Sequence, residues 1–403
     1  MKVPSDPRRA GMILRGFLCQ NVAIGSAFGV FGVALLPMQE KFGIGRAVAS
    51  LPVALAVLTM GLAAPLVASL VGRIGLRLTM LGGIVLSAMG YLLLALAPSF
   101  EFVLIAYALP IGIGLVASGP FASTVLAGNW SRDNPGPAIG LVNMPLMIVL
   151  MPLVSVPIIA QGGLSLLYLV LAGLHLVLLL AAWGIVDGPD QEREVHARSA
   201  KGAAAMLGQP LFWMMALGSG VLHAIGIIAS THLVAFGIER GVAPTTAAVL
   251  ISVMGAASVI GAVGSGLLCQ RIGGALTLVV IAAGTGLGWL VLLFAPDFGL
   301  MAATTIVIGA GGSAVFPAMS VLVGEKFGLD RVPHTLGLLG LATLPFTFGL
   351  PPVAGALHDS LGGYDAVLLA VVGACAGATM LYLLVSRWPA TGQPLGINTT
   401  RRN

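Results

Sequence analysis

Ala68-Ser-Leu-Val-Gly-Arg73-Ile-Gly75-Leu-Arg77 and Gly266-Leu-Leu-Cys-Gln-Arg271-Ile-Gly273 are two versions of one stretch. Each lies between long apolar runs, and each carries Arg-Ile-Gly in the only polar gap nearby. They stand 198 residues apart, and the same offset carries Ala97-Pro98-Ser-Phe100 onto Ala295-Pro296-Asp-Phe298 and Gly43-Ile44 onto Gly241-Val242. Landmarks that hold one offset over some sixty residues point to an internal duplication, and a duplication sets the architecture.

Working outward, the solvent of this chain is lipid. Hydrophobic residues make up 58% and charged residues 8% of the 403 positions, where a soluble domain carries about 25% charged. Twelve runs are long enough to cross a hydrocarbon core that needs roughly 20 helical residues. They are 12–37, 48–71, 77–97, 102–128, 138–160, 163–186, 210–236, 245–269, 275–295, 300–324, 333–356 and 364–386. The longest polar stretch, Asp187 to Lys201, separates the sixth run from the seventh. The expected organisation is an all-α membrane protein of twelve transmembrane helices: a bundle over 1–186, a linker over 187–209 and a second bundle with a short tail over 210–403. Arg8 and Arg9 precede the first run without a small-residue cleavage pattern after it, so that run reads as a retained helix.

Basic residues orient the spans. With an even number of spans, sixteen of the nineteen Lys and Arg fall on the side of the termini and linker, against Lys41, Arg46 and Arg240 on the other. The basic side is therefore expected to be cytoplasmic, in a plasma (inner) membrane, with both termini inside. The net charge of +5 then reflects orientation, and no nucleic-acid partner is expected. Cys19, Cys269 and Cys375 are scattered in or beside apolar runs, without disulfide or metal spacing. A phosphate loop ending in Lys-Ser/Thr is missing, as is a nucleophile beside a base and orienter, so neither an enzyme nor a cofactor is expected.

Two six-helix halves with Arg-x-Gly after the second and eighth helices resemble the major facilitator superfamily of secondary transporters. The resemblance implies a cavity between the halves, alternating access and a functional monomer, with Arg73, Gly75, Arg77, Arg271 and Gly273 in conformational loops. The family's Asp before the Arg is replaced here by Gly72 and Gln270. A narrower resemblance is to the monocarboxylate porters and their oxalate/formate-like relatives. It rests on Gly25-Ser-Ala-Phe28-Gly29-Val30-Phe31, Phe42-Gly43, Arg46-Ala-Val-Ala, Gly112-Ile-Gly114, Asn129-Trp130, Ala138-Ile-Gly140, His232-Leu-Val and Pro351-Pro352-Val-Ala-Gly355-Ala-Leu-His-Asp359. It implies a small monocarboxylate as substrate. Where that family often has Asp and Arg one turn apart in the eighth helix, this chain has Ser258 and Ala262.

No Asp, Glu, Lys or Arg lies near the middle of any expected span. Charge at mid-membrane is costly and marks ion or substrate paths. Without one, an anion is held by helix N-termini, hydroxyls, amides or a protonated His; the alternative is a largely apolar substrate, an exporter's cargo or a facilitated solute. The polar candidates follow. Ser219, His223, Gly226 and Ser230 share one face of the seventh helix. His232, nine residues after His223, lies about 180° around it. Asn21 and Phe28 share a face of the first helix; Tyr107 and Ser118 lie in the fourth, Asn143 in the fifth and Phe316 in the tenth. His223 is the preferred proton carrier and His232 the second.

Overall fold

The computed structural model describes residues 8–131, 135–188, 206–328 and 331–389. Most of the expected linker, the last residues of the tail, and Arg132, Arg193, Arg198, Lys201, Arg401 and Arg402 lie outside the described residues. The described residues form helices and connecting turns. Apolar runs in lipid must satisfy every backbone N–H and C=O internally, which a helix does within its own segment.

The first span is α1 (Arg8–Ile24), a π turn (Gly25–Gly29) and α2 (Phe31–Phe42), bent by 42°. The second is α3 (Arg46–Ile74) and the third α4 (Leu76–Ala95). The fourth is broken into α5 (Phe100–Ala106), a π turn (Tyr107–Ile111) holding Pro110, α6 (Gly112–Ser118) and α7 (Pro120–Asn129). α8 (Pro135–Val142) and α9 (Leu146–Ala182) carry the fifth and sixth spans, with non-helical backbone at Gly162 and Gly163 between them. Then follow α10 (Pro210–Glu239), α11 (Pro244–Leu293), α12 (Phe298–Phe327), α13 (Val332–Leu361) and α14 (Asp365–Arg387). α11 holds two expected spans, broken at Gly273. Each of the twelve expected runs thus finds a helix among the described residues.

Gly75 and Gly273 show why the duplicated stretch turns where it does. Their φ angles are 87° and 80°, in the left-handed region that side chains avoid, so each lets a span end and the next begin within one residue. The exterior is apolar, with Leu180 80% and Phe294 73% exposed, a surface that suits hydrocarbon and not water. Across the halves α3 packs on α13, α2 on α10 and α9 on α11.

Candidate functional site

The helices that meet between the halves leave one large cavity of about 970 Å3. Its wall from the first six spans includes Phe28, Val57, Met60, Ala64, Val116 and Phe121, with no polar side chain in it. The wall from the last six holds Ser219 and His223 on α10, Phe316 and Met319 on α12, and Thr343 and Thr347 on α13. Ala64 and Pro65 lie toward the end of α3 that carries Arg73, and residues 336–341 begin α13. The cavity therefore extends toward the face with Arg73 and Arg271.

Among the described residues, His223 is the single titratable side chain lining this cavity. Its Nδ1 lies 2.7 Å from the carbonyl oxygen of Ser219. A carbonyl only accepts, so Nδ1 carries the proton in the neutral ring and Nε2 is left with a lone pair. Nε2 has no protein partner among the described residues. The hydroxyls point elsewhere: Ser219 Oγ donates to the Met215 carbonyl at 2.8 Å, Thr343 Oγ1 to that of Gly340 at 2.8 Å and Thr347 Oγ1 to that of Leu344 at 3.2 Å. Pro345 has no N–H to offer the carbonyl of Leu341, which adds an acceptor on the same helix. With His223 neutral, the polar side chains of the cavity present acceptors only; a proton on Nε2 creates the one charged donor.

Of the residues expected at the substrate from sequence, Phe28, Ser219, His223 and Phe316 line this cavity. The other five do not, and each has a physical reason. Asn21 is buried against the fifth span: its Nδ2 donates to the Phe17 carbonyl, and its Oδ1 accepts from the amide of Met147 at 3.0 Å. That amide starts α9 after Pro145 and has no helical partner, so Asn21 is a cap supplied from another span. Asn143 Nδ2 donates to Thr124 Oγ1 and to the Ile139 carbonyl, both at 2.9 Å. Ser118 donates to the Gly114 carbonyl at 2.8 Å, and Tyr107 is buried edge-on against Phe31. His232 turns away from the cavity. Its Nε2 lies 3.2 Å from the Pro351 carbonyl and so carries the proton, while Nδ1 accepts from the Tyr364 hydroxyl at 3.1 Å.

Tyr364 leads to a layer that sequence reasoning missed, on the face opposite Arg73. Arg46, at the start of α3, reaches across the halves to Glu239 at 2.9 Å and to the His358 ring. His358 Nε2 is 2.9 Å from the same Glu239 oxygen, and the Ala47 amide donates to Asp359 at 3.1 Å. The Arg46 guanidinium lies 4.8 Å from the centre of the Tyr364 ring. Gly355 makes the approach possible: a Cβ there would come within 2.6 Å of the Ala47 backbone. The halves are therefore sealed on this face and hold the cavity on the other.

The duplicated turns have a second missed feature. Asp187 accepts from the amides of Leu76 and Arg77 at 2.9 and 2.7 Å, and Glu325 accepts from the amide of Gly274 at 3.0 Å. Both carboxylates cap the helix that follows the turn, and both come from distant parts of the chain. Arg73 and Arg271 are exposed on the face, while Arg77 lies over the Trp183 ring at 5.3 Å. Charged caps of this kind contribute about 0.5–2 kcal/mol. Asp187→Asn is expected to lower thermal stability by a few degrees and slow transport, with substrate affinity unchanged within about twofold. Loss of affinity at unchanged stability would show that the turn is part of the binding path.

Known proteins resemble this chain, some of them over most of its length. Rat (Rattus norvegicus) Monocarboxylate transporter 10 is 25% identical over 417 residues, covering 94% of this chain and 80% of that protein. The mouse (Mus musculus) protein of the same name is 35% identical over 89 residues, covering 22% of this chain and 17% of its own length. Among solved structures, a bacterial homolog of the human lysosomal transporter Spinster, inward-facing and unoccupied, superposes with a TM-score of 0.77 at 15% identity, covering 95% of this chain and 98% of that one. The nucleoside transporter NupG gives 0.75 at 13% identity, with 94% and 99% covered. At such identities the likeness to the solved structures shows the fold alone. A family model described as Major Facilitator Superfamily matches residues 17–287 and 233–400. Matched by that model over almost its whole length, and built of membrane-length helices around a large cavity, the chain belongs to the Major Facilitator Superfamily.

Proposed function

We propose that this transporter carries a monocarboxylate by alternating access, with one proton bound at His223 for each carboxylate. The observation that carries the reading is the donor inventory of the cavity: acceptors throughout, and a single nitrogen that becomes a charged donor on protonation. An anion is held more tightly by the protonated site, and the proton is held better with the anion beside it, so the two bind cooperatively by the same factor. The similarity to rat Monocarboxylate transporter 10 supports the substrate class. The units 1–186 and 210–403 then rock about the cavity, alternately sealing the Arg46 face and the Arg73 face. A second reading, an exporter of apolar or aromatic compounds, is favoured by the apolar wall of the first six spans.

The test is uptake of radiolabelled lactate, pyruvate and phenylacetate into proteoliposomes, with and without an imposed pH gradient. Accumulation driven by the gradient is expected for at least one of them; uptake indifferent to the gradient would remove the proton from the reading. Sidedness is tested separately. The Arg73 face is taken as cytoplasmic from the bias of basic residues, with both termini on that side in an inner membrane. In a background without Cys19, Cys269 and Cys375, Leu207→Cys should be labelled by an impermeant maleimide from the cytoplasm and Gln161→Cys from outside. The reverse pattern at both would invert the assignment.

A further inference from the structure

The polar groups of the cavity are confined to one half. Ser219, His223, Thr343 and Thr347 all belong to the last six spans, and the opposing wall of Phe28, Val57, Met60, Ala64, Val116 and Phe121 offers no side-chain donor or acceptor. A solute with polar groups at both ends, such as a sugar, a nucleoside or a dicarboxylate, would bury one end against that wall. Each unpaired polar group so buried costs about 1–3 kcal/mol. Size points the same way. Cavities of about 300–1,000 Å3 hold drug-sized molecules, and this one, at about 970 Å3, leaves most of its volume unfilled around a formate or a lactate.

We propose that the solute is an amphiphile with one carboxylate head and a substantial apolar body. The head is held by His223 on the last six spans, and the alkyl or aryl body lies against Phe28, Met60 and Phe121 on the first six. This rests on the monocarboxylate reading above and narrows it. It also accounts for both features of the cavity at once, the single site for a charged donor and the apolar wall. The division has a mechanistic consequence. Each half grips a chemically different part of the solute, so only a molecule long enough to touch both walls bridges the halves while the cavity changes sides.

The test measures binding of straight-chain alkanoates from acetate to dodecanoate to the full chain in lipid nanodiscs, by calorimetry at pH 6, with partition into empty nanodiscs subtracted. Affinity is expected to rise up to about fourfold for each added methylene, the factor corresponding to about 0.8 kcal/mol per buried CH2, until the body fills the cavity. His223→Gln should weaken every member by one common factor and keep the slope. Ala64→Leu should bring the plateau to shorter chains, and Phe121→Ala should move it to longer ones. Because the two wall variants move the plateau in opposite directions, simple damage to the fold cannot imitate the result. Short acids that bind with no dependence on chain length would overturn the amphiphile and leave the monocarboxylate reading standing. A matched alkylamine series binding more tightly than the acids, or no acid binding at any length, would overturn both.

Discussion

His223→Gln is expected to abolish accumulation driven by a pH gradient while exchange of solute across the membrane remains measurable. Glutamine keeps a hydrogen-bonding side chain of similar reach but does not titrate, so the cavity loses its one source of a charged donor. A hydrogen bond to a charged group contributes about 1.5–3 kcal/mol, which sets the expected loss of affinity for an anion at roughly 10- to 150-fold. In proteoliposomes with a gradient of one pH unit, coupling of one proton to one anion drives uptake toward about tenfold accumulation, and gradient-driven uptake by the variant should fall to the rate of protein-free liposomes. His232→Gln is expected to leave the tenfold ratio in place, because both ring nitrogens of His232 are taken up by Pro351 and Tyr364 beneath the sealed face. Survival of accumulation in His223→Gln together with its loss in His232→Gln would move the proton path to that face.

The second large effect is expected at Arg46. Its guanidinium joins Glu239 and His358 across the halves, and Asp359 caps the start of the same helix. In Arg46→Ala, Glu239 loses its cation across the halves and keeps only the His358 ring beside it. Exposed ion pairs contribute about 0–1 kcal/mol and loss of one partner of a buried pair costs about 3–5. With Arg46 13% and Glu239 33% exposed, an intermediate cost on the order of 2 kcal/mol is expected, about a 30-fold shift away from the state sealed on this face. Electron–electron distance measurements between spin labels at Lys41 and Ser360 should show a longer separation gaining population. Arg46→Glu combined with Glu239→Arg should restore much of the original distribution. Distances unchanged in the single variant would mean that apolar packing, and not this cluster, holds the seal.

What the sequence made legible follows from the demands of lipid. A span must be apolar for about 20 residues, so the runs show themselves, and a reversal between two of them must be short and polar, so the two Arg-Ile-Gly gaps stand out. Their glycines take the left-handed backbone that the turn requires. The site was less legible because its partners are remote. Nothing near Asn21 announces that its oxygen meets an amide 126 residues away. Helical periodicity set His223 and His232 on opposite faces of α10, but only the packing of α13 and Tyr364 shows that the His232 face is the one turned from the cavity. Arg46, Glu239, His358 and Asp359 read individually as solvated loop charges. A signal was available in the match of Arg46-Ala-Val-Ala and Leu-His-Asp359, which the sequence gives as two separated pieces and the fold joins into one layer.

The carboxylate caps on the duplicated turns also set an order of events while the chain is being made. The turn at Gly75 receives its cap from Asp187, 111 residues after Leu76, whereas the turn at Gly273 receives its cap from Glu325, 51 residues after Gly274. At about 5–20 residues per second the ribosome needs on the order of ten seconds to deliver Asp187 after the first turn has emerged, and roughly half as long to deliver Glu325 after the second. Through that longer interval the amides of Leu76 and Arg77 must rely on water or lipid headgroups at the membrane surface. The first turn is thus capped only when Asp187, the first residue after the sixth run, arrives.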